Sequence, residues 1–150
     1  MEKPIIYITK TPAQTKRLGF LLARGILNFS KERAPVLALR GDLGAGKTQF
    51  AKGFAQGLGI KETVNSPTFV ILRRYRVDSS AYKTFYHIDL YRLGSERDLE
   101  NLGISEIIAN PENIVIIEWP EVAAKMLSGA TLNLDFKTAG KNGRQIEISG

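Results

Sequence analysis

Hydrophobic positions recur along the chain with two different spacings, and each spacing predicts a different element. An early set recurs at three- and four-residue intervals, as on one face of an amphipathic helix. Its members are Leu18, Leu21, Leu22, Ile26 and Phe29. The runs 36–39 and 114–117 are instead apolar without interruption, which is typical of strands buried on both faces. We therefore expect parallel strands at the centre of a sheet, with helices packed against it.

Capping residues locate the ends of the predicted helices. Thr11, Pro12 and Gln14 supply an N-cap, a first-turn proline and a capping-box glutamine for the first helix. A second helical face over 50–58 ends at Gly59, a residue type that commonly closes helices. The first helix is thus expected to begin directly after Thr11, and the second to end before Gly59.

Strand-like segments outside the two apolar runs predict antiparallel hairpins. The segments 69–77 and 82–88 flank a turn-forming stretch, and so do 131–136 and 144–148. A further short strand is expected over 5–8. The predicted fold class is α/β, a mixed sheet with parallel central strands, antiparallel hairpins at its edges and flanking helices. The 150 residues suit a single domain.

Composition and charge exclude several classes of protein. The absence of cysteine rules out disulfide, zinc–thiolate and iron–sulfur chemistry. Because the chain has no cysteine, a reducing cytoplasm is the expected location. No apolar run approaches the roughly 20 residues that span a bilayer, so we expect no membrane contact. The net charge of +6 leaves open a surface for nucleic acid or an acidic partner and an ordinary solvated basic surface. The densest basic run is Arg73, Arg74 and Arg76.

The segment between the first apolar run and the second helix matches a phosphate-binding loop, with glycine, four residues, glycine, lysine and then serine or threonine. The matching residues are Gly41, Asp42, Leu43, Gly44, Ala45, Gly46, Lys47 and Thr48. Because the loop follows a strand and opens a helix, its backbone N–H groups converge on one anion. We expect a solvated Lys47 to reach the β- and γ-phosphates of a nucleotide, and Thr48 to ligate Mg²⁺.

Two carboxylates follow predicted strands and are candidates for magnesium and water chemistry. Glu118 directly follows the apolar run 114–117, and Asp89 directly follows the strand-like segment 82–88. Carboxylates at neighbouring strand ends can hold Mg²⁺, directly or through water, and can orient an attacking water. Each could instead cap a helix or form a surface ion pair.

Three further residues admit both a functional and a structural interpretation. Thr68 could contact Mg²⁺ or the attacking water, as in loops that sense a γ-phosphate, or could belong to an ordinary proline turn. Trp119 could line a crevice at a strand end or lie in the core. His87 is the only histidine, and a lone histidine on a strand is interpreted as a packed residue.

Five segments taken together resemble the TsaE (YjeE) family: 41–48, 52–59, 66–69, 87–93 and 117–121. Their wording includes Ser-Pro-Thr-Phe, His-Ile-Asp-Leu-Tyr-Arg-Leu and Ile-Glu-Trp-Pro-Glu. The resemblance covers nearly the whole chain and implies a small bacterial ATPase with a P-loop NTPase-like fold that uses ATP and Mg²⁺. It further implies action with TsaD and TsaB to form N6-threonylcarbamoyladenosine at position 37 of tRNAs reading ANN codons, with tRNA met through the complex.

The resemblance also implies roles for single residues. Lys47, Thr68, Asp89 and Glu118 are similar to catalytic positions, and the implied metal ligands are Thr48, Asp89 and Glu118. Residues expected to contact or border the nucleotide are Thr11, Pro12, Asp42, Leu43, Gly44, Ala45, Gly46, Lys47, Thr48, Gln49, Trp119, Glu121 and Arg144.

Three functions remain open on the residues alone. The first is an accessory ATPase whose hydrolysis resets a tRNA-modifying complex. The second is a small-molecule P-loop kinase, with the basic run at 73–76 as a lid over the transferred phosphate. The third is a nucleotide-gated binding module with negligible turnover. Only about 100 residues follow the phosphate loop, without an obvious acceptor-binding insertion, which argues against the kinase.

Overall fold

Strands and helices follow one another in the predicted order. The computed structural model describes residues 3–28, 33–64, 71–127 and 131–150, which leaves Phe29 and Thr68 outside the described residues. The strands are β1 (Ile5–Thr9), β2 (Val36–Arg40), β3 (Leu72–Arg76), β4 (Thr84–Asp89), β5 (Asn113–Glu118), β6 (Thr131–Ala139) and β7 (Gly143–Ser149). The helices are α1 (Pro12–Ile26), α2 (Lys47–Gly57), α3 (Glu96–Asn101), α4 (Ile104–Ala109) and a 3₁₀ helix over Pro120–Ala123. Within these ranges, no helix has the length and apolar character needed to cross a membrane.

The strands of the described residues form one sheet in the order β1-β7-β6-β2-β5-β4-β3. β2 pairs in parallel with both β5 and β6, and β5 pairs in parallel with β4. The outer pairs, β1 with β7, β7 with β6 and β3 with β4, are antiparallel. The predicted fold class is therefore confirmed. The hairpin of β6 and β7 is also confirmed, but β6 has an additional parallel pairing with β2 that the hairpin pattern did not predict.

Helices pack on both faces of the sheet. α1 and α2 cover one face over a core that includes Phe54 and Phe85. On the other face, Leu99 of α3 and Ile104 of α4 pack against Ile117 of β5. β5 is buried along its whole length, and β2 is buried except at its last residue, as the unbroken apolar runs predict.

Glycines allow α1 and α2 to pack closely. A Cβ on Gly53 would overlap the backbone of Lys16, and a Cβ on Gly19 would overlap the backbone of Phe50. Any larger residue at these positions would force the two helices apart. This close contact fixes α2, whose N-terminus carries the phosphate-binding loop.

The start of α1 agrees with the capping pattern in the sequence. Thr11 Oγ1 accepts a hydrogen bond from Gln14 N at 3.1 Å, and Gln14 Oε1 accepts one from Lys10 N at 2.7 Å. The predicted apolar face is wrong at Leu21, which is 52% exposed. Leu21 lies about 200° around the helix from the fully buried Ala23, and so faces away from α2.

Candidate functional site

The phosphate-binding loop lies between β2 and α2, at the carboxyl edge of the parallel strands. Gly41, Gly44 and Gly46 have φ angles of 144°, 79° and 101°, which residues with side chains rarely adopt. A Cβ on Gly41 would also lie 2.7 Å from the carbonyl oxygen of Phe136. The N-cap of α2 is Gly46, which has no side chain with which to cap the helix. The first-turn N–H groups of α2 lack intrahelical acceptors and are therefore suited to an anion.

Lys47 is held inside the site, so the expectation of a solvated lysine is wrong. It is 5% exposed, and its Nζ donates to the carbonyl oxygen of Gly41 at 2.6 Å. Nζ also lies 4.0 Å from the centroid of the Trp119 ring, a cation–π contact. Burial lowers the pKa of the Lys47 ammonium. The carboxylates that oppose this shift are, in decreasing order, Glu118, Asp89, Glu121 and Asp42.

Asp89 and Glu118 lie side by side at the ends of β4 and β5. They are register partners, and they are only 6% and 3% exposed. Burial raises the pKa of Asp89, and the adjacent Glu118 carboxylate adds to that increase. The backbone N–H of Tyr91 donates to Asp89 Oδ1 at 2.9 Å and lowers the same pKa, as does the charge of Lys47. Two buried carboxylates in one place favour a bound cation.

His87 is one of two residues of this site that the sequence interpretation missed; the other is Tyr91. It is fully buried on β4, and its Nε2 lies 2.8 Å from Glu118 Oε2. The interpretation of a packed histidine is correct as to burial, because the ring stacks on Phe85 with centroids 6.3 Å apart. Its polar contact became visible only with the register of β4 and β5. The signal available in the sequence was the two-residue spacing from Asp89, which places both side chains on one face of the strand.

The rim of the site combines an aromatic pair and an arginine. Trp119 has left-handed backbone angles, φ 54° and ψ 58°, where β5 turns into the 3₁₀ helix. Its ring packs 5.0 Å from that of Tyr91. From β7, Arg144 Nη2 donates to the carbonyl oxygen of Gly44 at 2.9 Å. The last strand is thus bonded directly to the phosphate-binding loop.

These groups surround a cavity of about 440 Å³, large enough for a nucleotide-sized ligand. Its lining residues are Pro12, Leu43, Gly44, Gly46, Lys47, Thr48, Gln49, Asp89, Tyr91, Glu118, Trp119 and Arg144. Cationic and N–H groups lie on the loop side, and the two carboxylates lie at the strand ends. This arrangement suits a polyanion that arrives together with a metal cation.

The chain is similar to known proteins in both sequence and structure. The family profile described as "Threonylcarbamoyl adenosine biosynthesis protein TsaE" matches residues 9–146. The chain belongs to the TsaE family. A TsaE relative from Bacillus subtilis is 39% identical over 147 residues, which cover 98% of this chain and 86% of the relative. A TsaE relative from Borreliella burgdorferi is 39% identical over 140 residues, 89% of this chain and 98% of the relative.

The fold agrees with this TsaE assignment. The crystal structure of Bacillus subtilis YdiB matches this chain with a TM-score of 0.77 and 33% sequence identity. The match covers 99% of this chain and 86% of YdiB. The two TsaE relatives, from Bacillus subtilis and Borreliella burgdorferi, carry the name "tRNA threonylcarbamoyladenosine biosynthesis protein TsaE". Every residue that lines the cavity falls within the span matched to the TsaE profile.

In this TsaE family member, most of the expected site residues meet at the cavity, and Tyr91 joins them without having been predicted. Those that do not line it are Thr11, Asp42, Ala45 and Glu121. Thr11 caps α1, while Ala45 is 2% exposed, with its side chain in the core. Asp42 and Glu121 act on Lys47 by charge. Contact of these residues with nucleotide stays a prediction, as does the role of Thr68, which lies outside the described residues.

Proposed function

We propose that this chain binds Mg·ATP in the cavity and hydrolyses it as an accessory step in tRNA threonylcarbamoyladenosine formation. One observation carries the proposal. A phosphate-binding loop with an inward-facing lysine meets two buried strand-end carboxylates at a single cavity. Such a set of groups positions phosphates and a water molecule for phosphoryl transfer.

The loop and Lys47 bind the phosphates. The N–H groups of the loop and of the first turn of α2 donate to phosphate oxygens. Lys47 exchanges its bond to the Gly41 carbonyl for a charge-assisted bond to a phosphate, which is the stronger of the two. Trp119 then loses the ammonium group that lies over its ring.

The donor set fits Mg²⁺ held jointly by protein and nucleotide. Asp89 and Glu118 offer carboxylate oxygens and Thr48 a hydroxyl, the hard oxygen ligands that Mg²⁺ prefers. Within the described residues, no group of three or more histidine, aspartate and glutamate side chains forms a metal cage. That agrees with a metal bound through one or two carboxylates plus phosphates. When bound, Mg²⁺ neutralises charge on the phosphates, while the free carboxylate oxygens orient the attacking water.

The pathway part of the proposal rests on the family. Relatives at 39% identity are named for tRNA threonylcarbamoyladenosine biosynthesis, and this chain spans most of their length. We assign it TsaD and TsaB as partners, with tRNA met through that complex, and a cytoplasmic location. Hydrolysis is slow for the isolated chain and stimulated by the partners, because a partner can complete a site by ordering a segment of it.

The arrangement of the basic run does not favour the kinase alternative. Arg73, Arg74 and Arg76 lie on the edge strand β3, which runs antiparallel to β4. Arg73 pairs with His87 and Arg76 with Thr84, so the run leads away from Asp89 by about 3.3 Å per residue. A row of arginines fixed in a strand in this direction does not form a lid over the phosphates.

The test follows labelled γ-phosphate in a reconstituted tRNA-modification reaction. We expect free phosphate to be released slowly by the chain alone and faster with TsaD and TsaB, and modification to exceed one turnover only when the chain is present. Label transferred to a metabolite would establish the kinase instead. Lys47→Ala is the inactive variant, and Lys52→Ala, on α2 outside the cavity lining, is its matched control.

A further inference from the structure

His87 is a buried polar residue that the proposed hydrolysis does not use. It is the only histidine in the chain and is 0% exposed. One ring nitrogen, Nε2, contacts Glu118 Oε2 at 2.8 Å, and the other, Nδ1, has no hydrogen-bond partner among the described residues. Burying an unpaired polar atom is unfavourable, and an apolar residue at this position would avoid it. The contact with Glu118 must therefore account for the histidine.

The chemistry of the pair fixes the direction of the hydrogen bond. An ionised carboxylate only accepts, so Nε2 carries the proton and donates it to Glu118 Oε2. Nδ1 has no hydrogen-bond partner in the described part of the chain, so the Nε2 contact is the one that orients the ring. The stack of the ring on Phe85 keeps the imidazole plane in place. His87 is thus a rigid donor with one orientation.

The His87 donor and the Lys47 ammonium group are alternative partners for Glu118. Among the carboxylates that raise the pKa of Lys47, Glu118 has the largest effect. Within the described residues, however, Glu118 forms its close pair with His87, while Lys47 Nζ bonds the Gly41 carbonyl. Glu118 and Lys47 therefore form no ion pair with each other, and both line the cavity.

We propose that His87 is a positioning residue for Glu118. Its Nε2–H holds Glu118 Oε2, which stops the carboxylate from rotating toward Lys47 and presents Oε1 to the metal and water of the cavity. The inference rests on the proposed function, because it gives Glu118 the task of holding Mg²⁺ and orienting water. Hydrogen-bond partners that orient metal ligands typically change affinity or activity by about 10- to 100-fold when removed.

The proton position is tested first, on the full chain without nucleotide. With isotope-labelled histidine, the nitrogen chemical shifts come from one residue, because the chain has one histidine. We expect Nε2 to carry a proton, because it must donate to Glu118. A bare Nε2, with a proton on Nδ1 alone, would overturn the proposal, since Nε2 could not then donate to Glu118.

The second test compares two substitutions at the same position. His87→Leu removes the donor, while His87→Gln keeps an N–H donor on a side chain of similar reach. We expect His87→Leu to lower kcat at least tenfold with KM for ATP changed less than threefold, and His87→Gln to recover most of the loss. If both variants fold and show equal losses of kcat with equal changes in KM, the histidine has a packing role only. Should His87→Leu fail to fold, His87→Asn, whose side chain is too short to reach Oε2, replaces it.

A binding measurement separates failure of this inference from failure of the proposed function. The Mg²⁺ concentration that half-saturates ATP binding is measured by calorimetry and does not require hydrolysis. We expect His87→Leu to raise it about tenfold and His87→Gln to leave it within about twofold. If the wild type proves unable to hydrolyse ATP but shows this pattern, the proposed function fails and the positioning role stands. Equal Mg²⁺ requirements in all three proteins would overturn the positioning role.

Discussion

The strand ends around the cavity bury charged and polar residues, whereas the outer edge of the sheet exposes apolar ones. At the cavity, Lys47, His87, Asp89 and Glu118 are between 0% and 6% exposed. At the outer edge, the apolar residues of β1 are between 41% and 58% exposed: Ile5, Ile6, Tyr7 and Ile8. Burial of charge is unfavourable unless each group is paired or binds a ligand. In this chain, the buried charged residues Lys47, Asp89 and Glu118 mark the candidate site, whereas the burial of apolar residues does not distinguish it.

The largest effect is expected from Glu118→Gln, which removes the charge of a buried group but keeps its shape. Turnover should fall about 100- to 1000-fold, as when a group that stabilises a transition state is lost. Nucleotide affinity should change much less. Single-turnover hydrolysis and calorimetry measure the two quantities on the same sample. Glu112→Gln, at an exposed glutamate outside the cavity lining, is the control.

A parallel measurement on Asp89 decides which of the two acids turnover depends on. Asp89→Asn tested in parallel should reduce turnover less than Glu118→Gln does. If the asparagine variant is inactive while the glutamine variant is normal, Asp89 and not Glu118 is the acid on which turnover depends.

The second effect concerns the buried cation, through Lys47→Ala. Loss of a charge-assisted phosphate contact should weaken Mg·ATP binding by about 1.5–3 kcal/mol, roughly 10- to 100-fold. The fold should remain, because the lysine occupies the cavity and belongs to neither core cluster. Unchanged affinity and turnover would show that the cavity does not bind phosphate through Lys47. Lys52→Ala controls for the loss of positive charge on α2.

The third effect is on stability, and it depends on pH. The pKa of Asp89 is raised in the folded chain, so its ionised form destabilises the protein without ligand. That penalty is full above the raised pKa and disappears as pH falls through it toward the ordinary value. Asp89→Asn should therefore raise the thermal midpoint of the ligand-free protein at neutral pH, and the gain should vanish in acid. Asp78→Asn, an exposed residue, should show no such trend.

The smallest effect is expected at the outer edge. Ile8→Thr, at a position that is 58% exposed, should change the free energy of unfolding by about 0.5 kcal/mol or less and leave hydrolysis unchanged. It should also reduce self-association at high concentration, because an apolar edge strand is a template for pairing. Ile116→Thr, fully buried on β5, should cost several-fold more stability. A large loss of stability from Ile8→Thr would mean that this edge is covered in solution.

The sequence predicted those parts of the site that depend on local order along the chain. The phosphate-binding loop, Asp89 and Glu118 all follow strands directly, and parallel strands bring their carboxyl ends together. The His87–Glu118 bond was missed because it depends on the register of β4 against β5, which no local pattern encodes. The burial of Lys47 was also missed. It depends on Trp119, whose ring contacts Lys47 Nζ from the end of β5, far along the chain from the loop.

The fold was predicted from the sequence to a similar depth. The unbroken apolar runs identified β2 and β5 as central strands, and turn residues identified both hairpins. The parallel pairing of β6 with β2 was not predictable, because a hairpin pattern specifies one neighbour and is silent about the other. The burial of Leu21 was wrongly predicted for a related reason, since its spacing suits a buried face but no element among the described residues covers that side of α1.

The antiparallel pairing of β1 with β7 joins two strands that lie far apart along the chain. Ile5 pairs with Ile148 and Thr9 with Arg144, so β1 gains this partner only after β7 has been synthesised. The same late strand supplies the Arg144 bond to Gly44. A nascent chain that already contains the loop and both acids therefore still lacks one contact to that loop. The cavity therefore gains its contact with Arg144 only after β7 has been synthesised.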